Sequence, residues 1–512
     1  MKKDSPMLAS FAMLRPIAAA ALLLGLSACA SVDLAPLSSA EIQKTVSEDR
    51  QALDKDLEPM AGELTLEEAI ARAIKYNAER RVRLMEEAVA AGQFELGNFD
   101  MLPRLVASAG YRDRDSDLIS RSKDSVTGAP SLANPSISSS RSALSSELGF
   151  SWSLLDFGQS YYAAKQNADR VLIATERRRK ALHNLIQDVR TAYWRVVAAE
   201  KLNASIRQTI RQGEEALADA RKAEEEKLKS PLEPLRYQRQ LLENLRMLEL
   251  VEQELSTARI ELAGLTQLPI LQVRNLVEPR STVSTVWLDT PVEQMETYAL
   301  LQNPELRESI YNARIAQQET RRAMLKMFPG LSFNYAIKNS DDSYLINQTW
   351  QETGVQVSFN LLGFLSMPAQ RKLAEAGVTL AEQKRMATQM AVVSQVNIAR
   401  LQYANAAAQF NRADAIASVD QRLADHVNNQ VLAERQTKLD SVSQQTSYIL
   451  STLRRYQALS NAQAAGSRLQ ASLGLELPLD ASRQASLAEL KEQVAKALNA
   501  WEQGKLPAVT TP

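Results

Sequence analysis

Few residues in this chain of 512 could do covalent or acid–base chemistry. There is one cysteine, Cys29, and there are two histidines, His183 and His426. A single thiol can close no disulfide within the chain and build no cysteine-based metal cluster. Each histidine lies inside a helical pattern without further ligands at metal-binding spacing, so neither is assigned a metal. No glycine-rich phosphate loop and no nucleophile motif is present. Carboxylates are plentiful, but they are mixed with Lys and Arg along helical stretches, the pattern of solvated faces. Lys plus Arg and Asp plus Glu are 60 each, so net charge is zero and the basic footprint of a nucleic-acid binder is missing. The chain reads as neither an enzyme nor a cofactor protein.

The thiol's position gives it meaning. Lys2 and Lys3 precede a short apolar run at 17–26, followed by small residues. That is the pattern of a secretory signal, too short for a spanning helix of about 20 residues. Leu26, Ser27, Ala28 and Cys29 then resemble a bacterial lipobox. In that motif the cysteine thiol receives a diacylglycerol, the chain is cut before it, and the new amine is acylated. The resemblance implies a signal at 1–28, a lipid-anchored segment at 29–63 and a covalent lipid on Cys29. Ala30 after the cysteine, where Asp would retain the protein at the inner membrane, implies sorting to the outer membrane. Several buried acyl chains anchor stably where one is marginal.

The elements behind this anchor are long. Only 17 Gly and 18 Pro interrupt the chain, and 160–228 and 371–434 read as very long helices. The chain also repeats itself once. Asn303 follows Asn77 by 226 residues, as Pro329 follows Pro103. Beyond the next apolar segments the offset is 207: Phe157 with Phe364, Val189 with Val396, Leu232 with Leu439. The first copy therefore holds 19 more residues between its two short apolar segments. Each half reads helix, strand, loop, strand, long helix, turn, helix, a duplicated half rather than a solenoid array. The halves are 64–268, with a hairpin at about 104–156, and 291–474, with a hairpin at about 330–362. A connector covers 269–290, and 475–512 is a C-terminal segment with one short helix, expected to wrap the middle of the assembly.

In 331–337 Leu331, Phe333, Tyr335 and Ile337 alternate with Ser332, Asn334 and Ala336. In 355–361 Val355, Val357, Phe359 and Leu361 alternate with Gln356, Ser358 and Asn360. Leu148, Phe150, Trp152 and Leu154 alternate with Gly149, Ser151 and Ser153, and Leu105 to Tyr111 forms a weaker fourth strand. Period-two alternation gives each strand an apolar and a polar face, the signature of a transmembrane β-barrel. Phe150, Trp152, Phe333 and Phe359 are expected toward lipid, and Ser151, Asn334, Ser358 and Asn360 toward the lumen. The loop at about 114–143, longer than its counterpart at 339–351, is expected outside the cell. Four strands cannot close a barrel, and an open edge in lipid leaves backbone groups unpaired. Three chains would supply twelve. The long helices, at about 1.5 Å per residue, reach roughly 100 Å, and the shorter pairs 65–100 with 232–266, and 291–327 with 438–473, match them end to end. Such helices suit the wall of a periplasmic duct. The stripe Leu182, Leu185, Ile186, Val189, Ala192, Tyr193 and Val196 reads as helix–helix packing.

The duplicated plan, WSLLDFGQ at 152–159, FNLLGF at 359–364 and Asn-Pro-Glu at 303–305 resemble the TolC family of outer-membrane efflux proteins. The resemblance runs from about 60 to 475. It implies a mainly α chain with a small β part, forming a homotrimer. A twelve-stranded barrel in outer-membrane lipid would continue into a long α-helical barrel. It also implies a periplasmic adaptor protein and an inner-membrane transporter as partners. The family includes drug and metal efflux ducts and type I protein-secretion outlets, and both remain open. A non-conducting coiled-coil scaffold is the third reading, and the alternating strands argue against it. The helix turns depart from the family, because 228–233 reads LKSPLE and 435–440 reads RQTKLD, without glycine. Lys229, Ser230 and Pro231, with Gln436, Thr437 and Lys438, are the expected adaptor-contacting tips. Similar channels place two Asp, three residues apart, around the periplasmic aperture. This chain has Asp440 and then Ser443, with Glu233 in the first copy. Both acids equally fit the first turn of a helix, where negative charge is favoured.

If Cys29 carries the lipid, Cys29→Ser abolishes labelling of the protein by a fatty-acid probe in cells. Labelling that persists in the variant places the lipid elsewhere.

Overall fold

A computed structural model describes residues 35–55, 57–60, 62–130, 135–225, 232–279, 282–477, 485–504 and 506. The lipobox and Cys29 lie outside these residues. The chain divides into two compact units, Met1–Pro59 and Met60–Pro512. In the first, helix α1 (Ser39–Asp54) begins on a capping box in which Ser38 and Glu41 bond each other's backbone N–H. The second unit contains everything else.

Its helices are α2 (Leu66–Tyr76), α3 (Ala78–Phe99), α4 (Leu154–Glu225), α5 (Leu232–Ser256), α6 (Ala258–Thr266), α7 (Val292–Gln302), α8 (Pro304–Leu325), α9 (Gly363–Leu432), α10 (Lys438–Leu473) and α11 (Leu487–Glu502). Its strands are β1 (Arg104–Arg112), β2 (Ile119–Ser120), β3 (Ser136–Ile137), β4 (Ala143–Ser153), β5 (Gly330–Ser340) and β6 (Thr349–Ser358). The fold is mainly helical with a small sheet. Helices α4 and α9, of 72 and 70 residues, are each roughly 100 Å long. α4 packs against α3, α5, α6, α8 and α10, and α9 against α7, α8 and α10. The 64–268 and 291–474 stretches are thus not separate bodies, since their helices and strands interleave in one unit.

Two asparagines divide what the sequence reads as single helices at 65–100 and 291–327. Asn77 ends α2 and begins α3, its Oδ1 accepting from Arg80 N at 3.1 Å. Asn303 ends α7 and begins α8, its Oδ1 accepting from Glu305 N and Leu306 N, with Pro304 at the first helical position. Each then turns its amide outward. Asn77 Nδ2 donates to Leu265 O in the last turn of α6, and Asn303 Nδ2 donates to Ser472 O in the last turn of α10. One side chain therefore fills two orphan roles, capping an N-terminus and serving a neighbour's C-terminal carbonyl. Beside Asn303, Gly474 ends α10 at φ 75°, and a Cβ there would run into the backbone carbonyl of Gln302. Only glycine fits both demands.

The core is where these helices meet. Leu185, Ile186, Val189, Ala192, Tyr193 and Val196 on α4 are buried, as helix packing requires. A second cluster joins Trp287, Met295, Leu306, Val396, Tyr403 and Leu469. The connector is held by α4, where the Tyr193 hydroxyl donates to Leu64 O and Val277 O and the Glu200 carboxylate accepts from Asn275 N and Leu276 N.

Replacing Asn303 by Ala should lower unfolding stability by about 1–2 kcal/mol, since cap and cross-helix bond both vanish. Asn303→Asp keeps the cap acceptor and loses only the donor to Ser472, so its loss should be smaller. Thermal unfolding with unchanged stability for Asn303→Ala would remove the joint from this role.

Candidate functional site

The site begins with the strands. β1, β4, β5 and β6 form one antiparallel sheet in the order β1-β4-β5-β6. The register decides which side chains share a face. Leu105 pairs with Phe150, and Phe150 in turn with Tyr335. Trp152 pairs with Phe333, and Phe333 with Val355. Leu148 pairs with Ala107 and Ile337, and Leu331 with Val357. The opposite face carries Arg104, Ser108, Glu147, Ser151, Asn334, Lys338 and Glu352. The alternation of each strand therefore adds up to one apolar and one polar face across all four.

Trp152 and Phe333 stack across the strands with centroids 6.3 Å apart, and Phe157 meets Trp152 edge-on. The apolar face is nonetheless open. Leu105, Val355 and Val357 are 68%, 64% and 67% exposed. On the polar face Lys338 pairs with Glu352 at 2.7 Å, and Trp350 Nε1 donates to the same carboxylate at 2.8 Å. β1 and β6 are the sheet's two outer strands. Phe359 and Asn360 lie past the end of β6, unlike the sequence reading that placed them in the strand. Asn360 Oδ1 instead accepts from Gly363 N, opening α9. Leu154 likewise begins α4 rather than ending a strand.

At one end of the sheet, the 19 additional residues of the first hairpin include the two-residue strands β2 and β3, a small ribbon where the sequence reads only loop. The two hairpin loops hold each other. Asp342 accepts from Ser140 N and Ser140 Oγ, and Asp341 from Leu144 N. Those bonds hold the Asp342 carboxyl below the usual carboxylate range.

At the far end of the long helices lie the turns. Lys229, Ser230 and Pro231 are outside the described residues, and of Glu233 only its place in the first turn of α5 is described. The second turn is complete. Helix α9 closes through Arg435 N on Gln430 O, with Glu434 at φ 59°, a left-handed position usually given to glycine. Gln436 and Thr437 follow, both exposed. Thr437 caps α10 in a capping box with Asp440: the Asp440 carboxylate accepts from Thr437 N at 3.0 Å and from its hydroxyl at 2.7 Å. Lys438 is exposed and pairs with Asp219 of α4 at 3.0 Å. Ser443 Oγ accepts from Asn244 Nδ2 of α5 at 3.0 Å, and Val442 packs among Ala216, Leu217, Leu241 and Leu245. The start of α10 is thus fastened to both α4 and α5.

His183 is inside α4, where burial pushes its imidazole down to about 4. His426 shares a hydrogen bond with Gln430 on α9. Among the described residues no three His, Cys, Asp or Glu side chains gather as metal ligands, and no helix is long and apolar enough to cross a membrane.

Residues 70–266 match the family model of the outer membrane efflux proteins. The match takes in somewhat over a third of the chain. Its fold recurs in solved outer-membrane channels. The channel CmeC of Campylobacter jejuni is 14% identical at TM-score 0.62, over 86% of this chain and 89% of its own. A membrane protein from Pseudomonas aeruginosa is 16% identical at TM-score 0.62, over 80% and 90%. The outer membrane protein VceC of Vibrio cholerae is 14% identical at TM-score 0.59, over 80% and 96%. At such identities the likeness is one of fold. No curated protein matches the sequence.

Sequence reasoning missed the Lys438–Asp219 pair, the Asn244–Ser443 bond and the second role of Asn77 and Asn303. The first two join residues about 200 positions apart, which no local pattern announces. The repeated Asn before a helical stretch was a visible signal for the third.

Proposed function

We propose that this chain is an outer membrane efflux protein, the exit duct of a tripartite efflux system, passing small molecules such as drugs or metal ions out of the cell. Three chains, built on a twice-repeated plan, pool four strands each into a twelve-stranded outer-membrane barrel, and their long helices continue it into the periplasm. A lipid on Cys29 tethers each chain. An adaptor takes the helix-turn tips, and an inner-membrane transporter supplies the energy.

The observation that carries this reading is the four-stranded sheet: one face apolar and open, the other polar, with the outer edges of β1 and β6 joined to no further strand among the described residues. In water such a surface is a liability. In lipid, the apolar face meets hydrocarbon and the outer strands must be paired by another chain. The Lys338–Glu352 pair on the polar face fits a wet lumen. The 16-to-14% identities of the similar channels leave the cargo open, and the type I secretion outlet remains the alternative that a transport assay separates.

Phe150→Arg, near the middle of β4 on the apolar face, should destabilise the bilayer-folded protein by about 2–4 kcal/mol, and Ser151→Arg by less. Denaturant titration in vesicles measures both, and equal losses would contradict the assigned faces.

At the periplasmic end, three copies each of Asp440 and Glu233 are proposed to ring the aperture. Rings of carboxylates favour cations in a narrow pore. Asp440→Asn should then reduce cation selectivity in a planar bilayer, whereas Asp100→Asn, at the end of α3 beside the sheet, should not. An unchanged reversal potential for Asp440→Asn would leave Asp440 as the cap of α10 alone.

A further inference from the structure

Where the sheet hands over to the long helices, the side chains carry more than a corner needs. From the apolar face, Trp152 meets α4 through Phe157, whose ring stands edge-on to it at 6.0 Å. Steps of four residues along a helix drift by only about 40°. Phe157, Tyr161 and Lys165 therefore follow one another down one side of α4. Phe157 and Tyr161 are 39% and 40% exposed, and the Lys165 ammonium lies 4.4 Å from the centre of the Tyr161 ring. The lysine thus bends back toward the sheet, the direction helix geometry favours. Apolar ring, phenol and cation succeed one another within about 12 Å of helix axis.

The repeat copies this series. At the 207 offset Phe364 follows Phe157 and Lys372 follows Lys165, while Pro368 stands where Tyr161 would recur. Phe364, in the first turn of α9, is 60% exposed. Both lysines are exposed, and neither has a carboxylate partner among the described residues. The acids within a turn of them are engaged elsewhere, Asp169 with Arg314 and Glu375 with Arg371.

A surface that passes from apolar to aromatic to cationic matches a membrane–water boundary. Aromatic rings sit at the headgroup level, and lysines reach it with the charge in water and the stem on apolar surface. Cations without a neighbouring acid favour a lipid of net negative charge over a zwitterion. β4 leads into α4 and lies inside the order β1-β4-β5-β6, away from the outer strands where a second copy is proposed. Such a copy leaves the α4 series uncovered.

We propose that Lys165 and Lys372 each bind the phosphate of an anionic phospholipid in the periplasmic leaflet, with its acyl chains against Phe157 and Phe364. This rests on the membrane placement of the sheet proposed above.

The test uses the full-length protein in vesicles of phosphatidylcholine. A trace of phosphatidylglycerol or of phosphatidylcholine is added, each with a photoreactive group on an acyl chain, and labelled peptides are mapped by mass spectrometry. Both probes are expected to label the sheet around Val355 and Val357. At 154–165 and 361–372 the phosphatidylglycerol probe should label about fivefold more than the other, the usual effect of one lysine at an anionic lipid surface. Lys165→Gln combined with Lys372→Gln should erase that preference and leave labelling of the sheet unchanged. Lys165→Arg combined with Lys372→Arg should keep it. Equal labelling by the two probes in the unaltered protein overturns the proposal, as does a preference that survives the glutamines. A labelled sheet with both corners unlabelled overturns it too, and gives the corners to a second copy. In these three cases the membrane placement stands. An unlabelled sheet removes that placement, and this proposal with it.

Discussion

A backbone N–H or C=O in hydrocarbon has no water to bond, so a sheet in a membrane can have no free edge. Under the proposed function the sheet answers to that constraint. Four strands give one chain two outer strands, β1 and β6, and a sheet too narrow to close on itself. The register gathers Leu105, Phe150, Trp152, Phe333, Val355 and Val357 on one face, where water has the least to offer them. Closure by further copies, as proposed, would satisfy the backbone and leave that face to lipid. The loops at the top, tied through Asp341 and Asp342, connect the hairpins without burying the face they serve.

The helices carry the second demand, which is length without collapse. A 72-residue helix buries little along any one stripe, and α4 is steadied instead by partners changing along its course. Asn77, Asn303 and Gly474 mark where shorter helices meet end to end beside the long ones. At those joints a single asparagine side chain serves two helix ends, capping one and donating to a carbonyl in the last turn of another. At the turn end, Lys438 with Asp219 and Asn244 with Ser443 fix α10 against α4 and α5.

Much of this was legible in the sequence because its signals are periodic. Alternation at 331–337 and 148–154 gave strands and faces, since side-chain direction has a period of two. The buried stripe from Leu185 to Val196 gave the packed side of α4, since a helix has a period of 3.6. What was not legible is what depends on pairing over long distances or on one residue's conformation. β6 ends at Ser358, and Asn360 beyond it accepts from Gly363 N at the start of α9, although the alternation continues to Leu361. Glu434 takes a left-handed position that sequence rules reserve for glycine. The capping box of Thr437 and Asp440 was partly visible as an acid in a first helical turn. Whether that acid also faces a pore depends on copies of the chain, which no intrachain pattern encodes.

The central claim is that the outer strand β1 of one chain pairs with β6 of another. Within a chain these strands are separated by β4 and β5, about 14 Å at roughly 4.8 Å per strand step, beyond the reach of a disulfide. Cysteine pairs, one on β1 and one on β6, placed in a chain whose Cys29 has been replaced, measure the pairing directly. Oxidation in outer-membrane preparations should give covalent dimers and trimers for pairs in register, with yield alternating along the strand. Chains that remain monomeric at every pair tested would contradict closure of the sheet between copies.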